Sequence, residues 1–367
     1  MKSALASLQR KLARNKYDAI LISQPENRRY LSGYSAHDSS INESSGCLLV
    51  FKEGDPLLLT DSRFQLQAEK ECPSFDVVLY KKGLLNLLEK LFAALPIQTL
   101  AFEGNYFLYS QALALQKICA NNGIKAVPTK EFVERLRVRK TSAELDKIRR
   151  SVALNEKVFQ KVHRELRPGV SEIDVAQRIE SLMRQYGAER PSFETIVAGG
   201  PNGALPHAVP TSRAIEAGEP VVIDMGLVHD GFCSDMTRTV VLGPADEFTR
   251  NIFKIVRQAQ LKAQDAIKAG VQCCLVDKAA RSIIVKNGYG KNFGHGLGHG
   301  VGCAVHEAPS LNSRNRKKLQ AGMVVTIEPG IYIPGWGGVR LENMAVVQEN
   351  GLELLNRDDT FLNFGEG

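Results

Sequence analysis

Residues 220–242 read PVVIDMGLVHDGFCSDMTRTVVL, and this stretch decides how the second half of the chain folds. Asp230-Gly231 sits between two apolar runs, the pattern of a two-residue hairpin turn. With those residues as the turn, partners across the ribbon have numbers that sum to 461. Asp235 then opposes Gly226, and Asp224 opposes Thr237, so the two aspartates are diagonal neighbours on one face. Ile223, Met225, Phe232 and Met236 cover the other face. Two carboxylates held together in an apolar run repel each other and are costly to desolvate. Either one of them is protonated, or an arginine such as Arg238 pairs with them, or a cation lies among them.

The same puzzle recurs downstream. MVVTIEP (323–329) ends an apolar run on Glu328, and VRLENMAVV (339–347) puts Arg340 and Glu342 on one face of a strand. Four carboxylates in strand-like apolar surroundings carry a charge of about −4, which two divalent cations would neutralise. A dinuclear site bridged by carboxylates and a hydroxide is the natural candidate.

A third stretch, HGLGHGVGCAVHE (295–307), holds three of the chain's seven histidines. The spacing of His295 and His299 could suit a helical zinc motif. But a glycine at every second position costs a helix about 1 kcal/mol each, and no glutamate follows His295 as that motif requires. Alternating glycine instead suits an extended segment that something approaches closely. On a strand, His295 and His299 share a face with Leu297 and Val301, and His306 reaches that face only if the chain bends near Pro309. One imidazole is expected to bind metal and the others to meet substrate.

The rest of the chain frames these stretches. At 367 residues it is long enough for two domains, and 44% apolar with 24% charged residues is ordinary for a soluble globular protein. No apolar run reaches the roughly 18 residues that a membrane span needs. Seven irregularly spaced cysteines fit reduced thiols in the cytoplasm. The net charge of +7 reads as a solvated basic surface, because the runs at 135–140 and 314–318 lie far apart with no interleaved aromatics. Neither nucleic acid nor membrane is an expected partner.

In the first third, Ala19–Ser23, Cys47–Phe51, Leu57–Thr60, Val77–Tyr80 and Thr99–Phe102 read as strands, and Ser62–Glu71, Leu84–Ala94 and Leu108–Ala120 as helices. This is an α/β domain over residues 1–128, closed by a break at Val127-Pro128-Thr129. Thr141-Ser-Ala-Glu144 is a capping box opening a long helix. A second such pattern, Ser171-Glu-Ile-Asp174, opens a helix with Ile173, Ala176, Ile179 and Met183 on one face. After Gly187 the chain is strand-rich, then helical over roughly 246–287, then strand-rich again, which makes 129–367 an α+β domain.

Together HGLGHGVGCAVHE, IDMGLVHDGFCSDMTRT, TIEPGIYIPGWGGVRLEN and GALPH (203–207) resemble the signature segments of the proline-specific metallopeptidases, the Xaa-Pro aminopeptidases and Xaa-Pro dipeptidases (prolidases). RRYLSGYSAH (28–37) and LLTDSRFQLQAEKE (58–71) are similar to that family's non-catalytic N-terminal domain. The resemblance implies a creatinase/prolidase-like N-terminal α/β domain followed by a pita-bread catalytic domain, acting as an exopeptidase on Xaa-Pro bonds. It implies Asp224, Asp235, His299, Glu328 and Glu342 as ligands of two divalent ions, Mn²⁺ or Co²⁺, with Zn²⁺ or Fe²⁺ as alternatives. Glu328 would also shuttle the proton of the attacking water. His306 and His207 would contact the scissile carbonyl and the developing charge, and His295 and Arg340 would lie near the leaving proline. Cys303 and Asn343 depart from the pattern, where a larger apolar residue and an acid are usual. The resemblance further implies a cytoplasmic homodimer, in which the loop bearing His37 could approach a partner's site. A methionine aminopeptidase would share the five ligands, and a non-enzymatic protein- or RNA-binding scaffold is the reading from a different class.

Overall fold

The strands expected in the first third assemble into one six-stranded sheet in a computed structural model that describes residues 2–38 and 40–360. In spatial order they are Asp76–Leu79, Leu57–Thr60, Cys47–Phe51, Ala19–Ile22, Thr99–Glu103 and Lys125–Thr129. The middle strand, AILI, is buried throughout because both its faces are covered. Ile20 and Ile22 meet Leu8 and Leu12 of the first helix on one side, while Ala19 and Leu21 meet Leu88, Phe92 and Leu115 on the other. Burial on both faces makes such a strand uniformly apolar rather than alternating. Cys47–Phe51 and Leu57–Thr60 form a hairpin across Glu53-Gly54-Asp55, with Cys47 opposite Leu59 and Leu49 opposite Leu57.

The sixth strand is a departure from the sequence reading, which took Pro128 as a break. It lies at the sheet edge, where a proline removes no ladder hydrogen bond that a neighbour needs. A boundary at 128/129 therefore falls inside this strand. The first compact unit runs from Met1 to Arg137, ending with the short helix Glu134–Arg137.

The second unit, Val138–Gly367, opens as its capping box dictates. Thr141 Oγ1 accepts from the Glu144 N–H, and the Glu144 carboxylate accepts from the Thr141 N–H, at the start of helix Ser142–Glu165. Ser171 caps the helix Glu172–Gln185 by half of this pattern: its Oγ accepts from the Asp174 N–H, while the Asp174 carboxylate accepts from the Ser171 hydroxyl and not from the Ser171 N–H. The buried stripe of that helix runs through Val175, Ala176, Ile179, Leu182 and Met183. Ile173, expected on that face, is 41% exposed, because the buried stripe passes through Glu172 and Val175 in the first turn and leaves Ile173 beside it.

These two helices pack against a three-stranded sheet of Met236–Val241, Pro220–Met225 and Ile196–Gly199, with Phe159, Ile179 and Met183 meeting Ile223, Met225 and Met236. A second helix pair, Glu247–Ala266 and Cys273–Lys286, packs against a five-stranded sheet. Its strands run in the order Glu307–Leu311, Gly298–Gly300, Val324–Ile327, Asn343–Val347 and Leu352–Leu354. Each sheet thus gives one face to helices and keeps the other for the polar residues of the site. No helix among the described residues is long and apolar enough to cross a membrane.

Candidate metal centre and cavity

The hairpin forms in the register that its turn residues imply. Asp230 and Gly231 both take positive φ (50° and 77°), and Val228 faces Cys233. Further along, Met225 faces Met236 and Asp224 faces Thr237. Asp224 and Asp235 consequently share a face that lines a cavity, opposite Ile223, Met225 and Met236 in the core.

Arg238 does not pair with these aspartates. Its parity points it to the opposite face, where it lies 3.4 Å from Asp358 and 3.9 Å from Glu156. It also donates to the Glu342 carbonyl, supporting that residue from behind. The arginine that does reach the cluster is Arg340, whose Nη2 is 2.7 Å from Asp224 Oδ2.

Glu328 and Glu342 come together because Ile327 pairs with Asn343, so each glutamate is the next residue beyond the same end of that ladder. The Glu342 N–H donates to the Thr237 carbonyl (3.0 Å), and Thr237 Oγ1 donates to Glu342 Oε2 (2.8 Å). Thr326 Oγ1 accepts from the His299 N–H and donates to Glu328 Oε1, both at 3.0 Å. His299 Nε2 sits 3.3 Å from Glu328 Oε1 and 3.5 Å from Asp235 Oδ2. Asp235, His299 and Glu342 each offer an atom within 4.8 Å of the others.

The glycine-framed segment explains how an imidazole reaches this cluster. It is extended, and a side chain at Gly298 would collide with the Thr326 carbonyl. Regular strand lasts only from Gly298 to Gly300, with a register shift within it. Leu297 therefore turns into the core while His299 lines the cavity, and the shared face expected for the two does not form. The bend needed for His306 is present, its ring centroid lying 4.3 Å from that of His299, edge-on. Replacing Gly298 by Ala is expected to cost about 1–3 kcal/mol by overpacking, read as a lower thermal midpoint of the catalytic unit; an unchanged midpoint would contradict this close approach.

Burial dominates the electrostatics. It pushes the carboxyls of Asp224, Asp235 and Glu342 above the ordinary value, and neighbouring carboxylates raise them further: Glu342 and Asp224 act on Asp235, Glu328 and Asp224 on Glu342, and Glu328 on Asp224. Arg340 offsets only part of the shift at Asp224. Burial acts the same way on Glu328, but the hydrogen bond and charge of His299, with His295 and Arg340, outweigh it and leave Glu328 below the ordinary value. Burial lowers His306, and the adjacent His299 adds to the effect.

His207 lines the cavity from the loop after the short helix Gly200–Ala204. The cavity extends as two lobes from the shared residues His207, Asp224, His299, His306 and Glu328. One lobe is walled by Phe193, Thr195, Ile196 and Val209; the other holds His295, Asn312, Tyr332 and Arg340. Tyr332 went unnoticed in the sequence, although it shares parity with Glu328 and Gly330 in EPGIYI. Its hydroxyl accepts from Arg340 Nη1 and meets His295 Nε2, both at 2.9 Å. His295 Nδ1 lies 2.7 Å from the Gly296 carbonyl, which assigns the proton to Nδ1 and makes Nε2 the acceptor from Tyr332. Both ring nitrogens are thus committed to partners within the protein. Of the other three histidines, His163 stacks on Phe159, His229 flanks the hairpin turn, and His37 is exposed in the first unit.

Asp224 Oδ1 and Glu342 Oε1 are buried with no hydrogen-bond partner among the described residues. Buried carboxylate oxygens without partners are rare unless something cationic satisfies them. Oxygen donors with one imidazole are the chemistry of a divalent-cation site, and the residues fit one.

Comparison with known proteins agrees with this geometry. Residues 146–349 match metallopeptidase family M24, and residues 5–139 match the creatinase/prolidase N-terminal domain. The chain is 36% identical over 360 residues to the Xaa-Pro dipeptidase of Pyrococcus furiosus, covering 98% of this chain and 99% of that one. Among solved structures it is similar to an Xaa-Pro dipeptidase from Bacillus anthracis, with a TM-score of 0.89 and 35% identity over 97% of this chain and 98% of the other. It is also similar to an X-Pro aminopeptidase from Thermotoga maritima, with a TM-score of 0.85 and 34% identity over 95% and 98% of the two chains. The chain belongs to metallopeptidase family M24: it is a metallo-exopeptidase with a creatinase/prolidase N-terminal domain ahead of a pita-bread catalytic domain.

Proposed function

We propose that this enzyme hydrolyses the bond between an N-terminal residue and proline, in dipeptides or longer peptides. The observation that carries the reading is the convergence of four carboxylates and one imidazole, with Asp224, His299 and Glu328 where the two cavity lobes meet and the buried Asp235 and Glu342 on the adjoining wall of the first lobe. Asp224, Asp235, His299, Glu328 and Glu342 would hold two divalent cations, Mn²⁺ or Co²⁺. When bound, such a pair supplies an activated water and polarises the amide oxygen. Glu328, held below the ordinary carboxylate value, is ionised and accepts the proton of the attacking water at its carboxylate. It returns that proton to the proline nitrogen as the bond breaks.

His306 and His207 hydrogen-bond the oxyanion of the tetrahedral intermediate. The lobe with His295, Tyr332 and Arg340 takes the pyrrolidine ring. Arg340 acts there through Asp224 and Tyr332, which it orients. The lobe walled by Phe193, Ile196 and Val209 takes the residue before proline, and the acidic cluster suits its free α-amino group. A homodimer in the cytoplasm is the proposed working form.

The test compares Ala-Pro, Ala-Pro-Ala and Met-Ala-Ala as substrates of protein loaded with Mn²⁺ or Co²⁺. The proposal expects cleavage of at least one proline peptide and little turnover of Met-Ala-Ala. Cleavage of both proline peptides marks an aminopeptidase, and of Ala-Pro alone a dipeptidase. Turnover confined to Met-Ala-Ala would instead mark a methionine aminopeptidase.

A further inference from the structure

His306 is carried on a short turn between the strands Gly298–Gly300 and Glu307–Leu311, and something must hold that turn against the site. The residue after His306 answers to this need. The Glu307 carboxylate receives the Lys140 ammonium in direct contact, with side chains only 5% and 2% exposed. Lys140 is itself fixed, its N–H donating to the Gly322 carbonyl at 2.8 Å. The Glu307 carboxylate also packs against Gly302, where any side chain would strike it. From the other side, the Cys233 N–H donates to the Gly302 carbonyl at 2.8 Å. A buried ion pair is an expensive way to gain stability, since apolar residues of similar volume often do as well. What it provides is a fixed direction.

We propose that Lys140 and Glu307 form a buried clamp that sets the 301–306 turn and so the placement of the His306 ring, making both of them positioning residues for the hydrolytic reaction. The proposal rests on the reading of His306 as a substrate-contacting residue. Lys140 lies far from His306 in sequence and reaches the turn through the Glu307 carboxylate.

The test is made on full-length, Mn²⁺-loaded enzyme with Ala-Pro. Lys140→Met is introduced alone and together with His306→Ala, beside His306→Ala alone. Lys140→Met is expected to lower kcat by about tenfold to a hundredfold, the scale of a misplaced catalytic group, with KM within about twofold. In the His306→Ala background the same change should lower kcat by less than about twofold, because residues that act as a unit are not additive. The ring resonances of His306, recorded with diamagnetic Zn²⁺ in place of Mn²⁺ and assigned by their absence in His306→Ala, should shift in Lys140→Met while those of His163 stay in place. Lys140→Arg should recover part of the loss.

Should Lys140→Met fail to fold, the double variant Lys140→Met/Glu307→Met removes both charges and takes its place in the same comparison. Equal losses in the two backgrounds, or unshifted His306 resonances with wild-type kcat, would overturn the clamp alone. Wild-type kcat in His306→Ala would overturn the role of His306 itself, and the clamp with it.

Discussion

Glu328→Gln is expected to lower kcat on an Xaa-Pro peptide by about a hundredfold or more while the protein remains folded. The amide preserves the volume of the side chain and keeps an oxygen that can accept from Thr326 Oγ1, so the local packing should survive. What it loses is the ability to take a proton. Among the proposed ligands only Glu328 has a carboxyl below the ordinary value, and the cause is its hydrogen bond to His299. It is therefore the member of the cluster best prepared to stand ionised and receive a proton. The assay is kcat on Ala-Pro with saturating Mn²⁺, beside a thermal unfolding curve and a metal determination on the same sample. Near wild-type turnover in a metal-loaded variant would remove Glu328 from the proton-transfer role.

The second large effect concerns stability. Asp224, Asp235 and Glu342 have carboxyls raised by burial and further by the charges of neighbouring carboxylates in the cluster. A carboxyl raised on folding stabilises the protein while it is protonated. That contribution is fully present below the unfolded value of about 4 and is lost as pH rises through the folded value. Glu328 has the opposite sign but is one group against three. Protein stripped by a chelator should therefore carry a repulsion penalty that grows as pH rises above about 4. Mn²⁺ removes that penalty, and its own binding grows with deprotonation of the ligands. The gap between the thermal midpoints of loaded and stripped protein should widen from pH 5 to pH 8. A metal concentration a hundred times Kd adds about 2.7 kcal/mol. A gap that is absent, or that narrows over this interval, would contradict a metal-dependent carboxylate cluster.

Much of this architecture was legible in the sequence, for reasons that differ from element to element. Asp230-Gly231 fixed the hairpin register because only residues tolerating positive φ make that turn, and the register then placed Asp224 and Asp235 without further information. The capping box at Thr141–Glu144 located a helix start because it satisfies two backbone donors at once. The misses share a cause, which is that local pattern does not encode position within a sheet. Pro128 read as a break because its tolerance depends on lying at an edge. Leu297 and His299 were assigned to one face because a register shift within a three-residue strand leaves no mark on spacing. Arg238 was offered as a partner of the aspartates on proximity in sequence alone, whereas Arg340 reaches Asp224 from a different sheet. Tyr332 and the Lys140–Glu307 contact escaped notice for the same reason: their partners are distant in sequence.

The claim on which the rest depends is that these acids are tolerated because doubly charged ions sit among them. Elemental analysis of protein reconstituted with Mn²⁺ and dialysed against metal-free buffer tests it directly, with Asp235→Asn run in parallel. The account predicts about two ions per wild-type chain and no more than about one in the variant that loses the Asp235 carboxylate. Wild-type protein that retains no metal, or a variant that retains as much as wild type, would contradict it.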